Sequence, residues 1–141
     1  MDWKERARAI EREDLIDLSE WSEVSGRSLP VWQHLAFSSE LWDVLERVPL
    51  RLRHETTLDD RVWHVIGRVQ IALERYLKRD AAHGAARPFC VHFGARIPCR
   101  DPSHDWVVLR LEGELCGDAF VLTVSLHKSA TIVPSPLASR R

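Results

Sequence analysis

No apolar run in the 141 residues approaches the roughly 20 that a membrane-spanning helix requires, so no membrane partner is expected. The opening stretch MDWKERARAIERED has no apolar core, so no signal peptide is expected either. Cysteine is scarce and odd in number, at three, which argues against a disulfide framework and for a reducing, cytoplasmic setting. A charge excess of either sign is also missing: 20 basic residues stand against 21 acidic ones, for a net charge of −1. A duplex-binding protein shows a basic excess or stripe, and a mimic of DNA an acidic one, so the net charge does not indicate nucleic acid. Internal repeats, a P-loop, a dinucleotide fingerprint, H-E-x-x-H and G-x-S-x-G are all absent from the sequence, and no cofactor is expected.

What is present is an ordinary globular composition, 45% hydrophobic and 29% charged, with six tryptophans. The length fits one core, expected over residues 1–128, followed by a frayed tail over 129–141. The first helix is expected from Trp3 to Glu11, with Trp3, Ala7 and Ile10 on its apolar face. Ser38 or Ser39 can cap a second helix, because a serine oxygen accepts a hydrogen bond from a free N–H of the first turn. The strongest helical signal covers residues 60–79. There Val62, Ile66, Val69, Leu73 and Leu77 recur at 3.6-residue spacing, with Asp59 and Asp60 at the positive end of the dipole and Lys78 and Arg79 at the negative end. Gly67 interrupts this helix, and a close helix–strand contact would account for it.

After a linker at 80–87 the period switches to two. Phe89, Val91 and Phe93 alternate with Cys90, His92 and Gly94, and two further alternating runs follow over residues 106–111 and 120–126. The expected fold class is therefore α+β: N-terminal helices, including the long one at about 60–79, packed on a C-terminal three-stranded antiparallel sheet.

The order and spacing of RARAIEREDLIDLSE, LPVWQHLAFSSELWD, DDRVWHVI and VVLRLEGELCGDAFVLTVSL resemble a domain family of unknown function found in phages, plasmids and bacterial chromosomes. Its members open with R-A-x-A-I-E-D-G-x-L-x-D and close with a β-hairpin around a Gly-Asp turn. This chain departs at Arg12-Glu13, where Asp-Gly is usual, and at His127-Lys128, where Leu-Pro is usual. The resemblance covers residues 6 to about 127 and implies a cytosolic accessory protein of a phage or mobile element. Such proteins often act by binding host or rival machinery, CRISPR effectors included, as anti-CRISPR proteins do. The family brings no catalytic residues to carry over.

Four sites are open on the residues themselves. The first is a contact surface. If the long helix covers one sheet face, the other carries His92, Trp106, Val108, Arg110 and Val121, a set rich in the Trp and Arg that anchor protein partners. Its partner would be host or defence machinery, or a second copy in a homodimer. Alternatively, the N-terminal segment folds over that face and buries it. The second is a zinc site: Cys90 and His92 share a strand face about 7 Å apart, and Cys99 and His104 follow in C-x-H-x6-C-x4-H. That is not a familiar zinc spacing. The third is a two-histidine phosphodiesterase built from His54 with Thr56 and His127 with Ser129, in which one imidazole is base and the other acid. Glu55 and Lys128, at the middle positions, fit that fold poorly. The fourth is Cys116 as a nucleophile, opposed by the carboxylates of Glu114 and Asp118, which would raise the thiol pKa.

Overall fold

The computed structural model describes residues 2–19, 34–47, 56–79, 88–97, 106–116 and 119–127. In chain order these form α1 (Trp3–Glu11), β1 (Leu15–Asp17), β2 (Leu35–Ser38), α2 (Ser39–Glu46), α3 (Leu58–Arg79), β3 (Phe89–Arg96), β4 (Trp106–Cys116) and β5 (Ala119–Leu126).

Local chemistry sets the helix ends. The Asp2 carboxylate accepts the Glu5 N–H at 2.8 Å while the Glu5 carboxylate accepts the Asp2 N–H at 3.2 Å, a reciprocal cap on α1. At the other end the Asp14 N–H donates to the Ala9 carbonyl and the Glu13 N–H to that of Ile10, the Schellman arrangement. It places Glu13 at φ 64°, in the left-handed region where glycine sits without strain. The Ser38 hydroxyl accepts the Leu41 N–H to start α2. Thr57 and Asp60 cap each other to start α3.

The fold is α+β, but its sheet is not the expected three-stranded antiparallel one. Among the described residues it has five strands in the order β1-β2-β5-β4-β3 and is mixed, because β2 runs parallel to β5 while every other pair there is antiparallel. The expectation failed because β1 and β2, Leu15–Asp17 and Leu35–Ser38, are too short to show a period. Moreover, Leu35, Ala36 and Phe37 are all buried, so β2 has no polar face to alternate.

Nor does one long helix shield the sheet. α3 lies over β3, α2 lies against β5 and β2, and together they close one face. The core there joins Val62, Val65, Ile66, Val69 and Leu73 of α3 to Leu109, Leu111, Leu122, Val124, Leu35 and Phe37. Leu77, expected in the stripe, is exposed. Gly67 is also exposed, and a Cβ there would meet nothing within 4 Å, so no close contact accounts for it. Arg61 links the two helices, its Nε donating to the Leu45 carbonyl at 2.8 Å and its Nη1 to both oxygens of Thr56.

α1 packs on the opposite face, where Ala9 and Ile10 meet Leu15 and Ala36. It does not turn Trp3 and Ala7 inward; both are exposed, and Arg6 and Ala9 are buried instead. The guanidinium of Arg6 spans the parallel junction. Nη1 donates to the Thr123 hydroxyl at 3.2 Å, and Nη2 to the carbonyls of Leu122 and His34 at 3.3 and 3.4 Å. Burial lowers the Arg6 pKa, opposed by nearby Cys116, Asp17 and Glu114.

Candidate contact face

The register of β3, β4 and β5 decides which side chains share the face turned away from α2 and α3. Arg96 pairs with Trp106, Gly94 with Val108, His92 with Arg110 and Cys90 with Glu112, while Arg110 and Glu112 pair onward with Ser125 and Thr123. Among the described residues α1 lies at the far end of this face, where Arg6 donates to Thr123. The end formed by β3 and the first half of β4 is open. Trp106 is 62% exposed and Val108 41%.

Trp106 has a built seat. Gly94 on the neighbouring strand lies against its ring: an added Cβ would stand 3.4 Å from the indole, at ordinary van der Waals contact. Arg68 of α3 wraps around the sheet edge, donating through Nε to the Gly94 carbonyl at 2.9 Å and placing its guanidinium carbon 5.9 Å from the indole centroid. One residue pair further along, the Arg96 N–H donates to Nε2 of His64 at 3.1 Å. Desolvation, and then Arg68 and Arg96, push the His64 pKa below its ordinary value, consistent with a neutral ring whose lone pair accepts that bond.

Further along the same face lies a polar cluster. Arg110 donates through Nε to the Cys90 sulfur at 3.3 Å and through Nη2 to Glu112 at 3.4 Å. The imidazoles of His92 and His127 stand 4.2 Å apart between centroids, tilted by 54°. This pairing was not legible in the sequence. His92 lies on β3 and His127 just beyond β5, with β4 between them, and only the register brings them together.

Of the residues expected on the contact surface, Trp106, Val108, Arg110 and His92 therefore share one open face. Val121 does not belong with them: it is fully buried, at 0% exposure, toward the α1 end of the same face. One end of the face is thus buried, at Val121, and the other open, at Trp106 and Val108. Cys90 and His92 do project from one face, but Cys99 and His104 lie outside the described residues. Among the described residues no three His, Cys, Asp or Glu side chains are grouped to hold a metal. For the phosphodiesterase reading, His54 and Ser129 lie outside the described residues. Thr56 is engaged by Arg61, and His127 stands beside His92. Cys116 is buried; that burial first, and Glu114 second, raise its pKa, which suits a packed thiol rather than a nucleophile.

Among the described residues no helix is long and apolar enough to cross a membrane. Compared with models of protein families, with curated proteins and with solved structures, the chain matches none.

Proposed function

We propose that the chain is a non-enzymatic protein-binding factor that meets its partner through the open end of the sheet, with Trp106 as the anchor. One observation carries this reading: a mostly exposed tryptophan packed by Gly94 and Arg68, on one face with Val108, Arg110, His92 and His127. A large side chain that is already ordered loses little entropy on docking, and Trp and Arg are the residues that most often dominate interfaces. The family resemblance adds the class of partner: host or rival machinery met by a phage or mobile element, a CRISPR effector among them. Glu13 supports the resemblance, since it takes the left-handed conformation at the position where that family carries glycine.

The test is capture from a lysate of the host by the tagged chain and by its Trp106→Ala variant, with enriched proteins identified and their affinity then measured on purified components. Truncating a central Trp typically loses 2 kcal/mol or more, about thirtyfold in Kd. Trp106→Ala should lose its partner by at least that factor while melting within about 1 °C of the parent, since an exposed side chain adds little to stability. Equal affinity for both chains would remove Trp106 as the anchor and the proposal with it.

A further inference from the structure

A second surface, at the edge of the sheet, goes beyond the Trp106 face. Among the described residues β3 ends the strand order, so one side of its backbone has no neighbouring strand there. The Gly94 carbonyl and the Arg96 N–H point to that side, where Arg68 and His64 of α3 bond them. Backbone direction alternates along a strand, so the N–H and C=O of Cys90 and His92 point the same way. An uncovered edge of this kind is a template for another strand. α3 therefore blunts the edge at residues 94–96. Alongside residues 91–94 the space between helix and strand opens into a groove of about 170 Å³.

Three arginines of α3, Arg68, Arg75 and Arg79, line this groove, with Ile71 and Ala72 beneath them and no acidic side chain among the described residues of its wall. Arg75 and Arg79 are exposed and lie one helical turn apart, so they run in file beside the strand. A second copy of the chain is a poor occupant: pairing β3 with β3 would bring both sets of arginines to one seam, where like charges repel. We propose that the groove takes an extended acidic segment of a partner protein, added to β3 as a further strand. Its backbone would bond the outward groups of Cys90 and His92. Because side chains alternate along a strand, carboxylates at every second position would lie on the side of Arg75 and Arg79.

The probe is a fluorescein-labelled octapeptide alternating Glu with Thr or Val, with a Lys-for-Glu peptide as control, read by anisotropy and by amide shifts of the labelled protein. Expected are saturable binding of the acidic peptide only, shift changes centred on Cys90, His92 and Gly94, and weakening at higher salt. Arg75→Glu with Arg79→Glu should weaken binding at least tenfold; both sites are exposed on the helix, so the fold should be retained, as circular dichroism will report. His92→Pro removes an outward N–H that takes no part in the β4 ladder and should weaken binding by a similar factor. Trp106→Ala should change it less than twofold, which separates this site from the Trp106 face. Equal binding of the Lys peptide, no binding at millimolar concentration, or indifference to the charge reversal would each overturn the proposal. So would a dimer in sedimentation that His92→Pro dissolves, since the edge would then belong to a second copy.

Discussion

Replacing Arg6 by Met tests the account of how the N-terminal segment joins the sheet. Methionine keeps much of the apolar stem but carries no donor. Arg6 is 3% exposed and makes three hydrogen bonds, of 3.2, 3.4 and 3.3 Å, to the Thr123 hydroxyl and the carbonyls of His34 and Leu122. The His34 carbonyl keeps another donor, the Leu122 N–H at 2.8 Å, and the parallel register gives the Leu122 carbonyl the Ala36 N–H; the Thr123 hydroxyl loses its guanidinium donor. Bonds from a charged donor contribute about 1.5–3 kcal/mol each, and these are long, so the lower figure applies and the sum is near 4–5 kcal/mol. Against it stands relief from burying a cation, a cost whose presence shows in the lowering of the Arg6 pKa by desolvation. Taking that relief as roughly 1–2 kcal/mol leaves a net loss of about 3 kcal/mol, or a fall in Tm of about 10 °C for a chain of this size. Thr123→Val removes one bond and should lose about 1 kcal/mol. Urea unfolding measures both, and hydrogen exchange should place the lost protection first in β1 and β2. An Arg6→Met protein as stable as the parent, or more so, would refute the reasoning: the guanidinium would then be a net burden and the packing of Ala9 and Ile10 the true joint.

Four further outcomes are expected. Gly67→Ala should stabilise by about 1 kcal/mol, because the site is an exposed helix interior with open space around the new methyl; a fall in Tm would contradict it. Glu13→Gly should also stabilise, by roughly 0.5–1 kcal/mol, by removing the left-handed strain at φ 64°. Gly113→Ala should do the opposite. Its Cβ would stand 2.7 Å from the Phe120 ring and also collide with Phe89, breaking the stack of Tyr76, Phe89 and Phe120 and losing about 2–3 kcal/mol in thermal or urea melts. The pH dependence turns on His64. Its folded pKa lies below the ordinary 6.5, so the unfolded chain takes up the proton first as pH falls. The stability held by neutral His64 is present above pH 6.5 and is lost as pH drops from there through the folded value. His64→Gln, which can still accept the Arg96 N–H without titrating, should show a shallower loss of stability between pH 7.5 and 5 than the parent; parallel curves would rule this out.

Some of the architecture follows from residue order alone. A strand turns successive side chains to opposite faces and a helix returns them every 3.6 residues, so Phe89, Val91 and Phe93, or Val62, Ile66 and Val69, state their local geometry without reference to the rest of the chain. Caps are local in the same way, since the Ser38 hydroxyl reaches only the first turn of its own helix. The contact face was half legible: alternation puts Trp106, Val108 and Arg110 together, but alternation equally admits Val121, which is buried.

Tertiary structure alone decided the rest. β2 has three consecutive buried residues and no alternation, and its partner β5 lies near the other end of the described chain, so nothing in its own sequence marks it as a strand inside the sheet. Arg6, a charge on a short amphipathic helix, reads as solvated until the parallel junction supplies three acceptors for it. The meeting of His92 with His127, and of Arg68 with Trp106, depends on strand register and on where α3 crosses the edge. Periodicity is a property of neighbours along the chain; register, edges and buried charges are set by contacts between segments far apart in it, and those exist only once the whole core has closed.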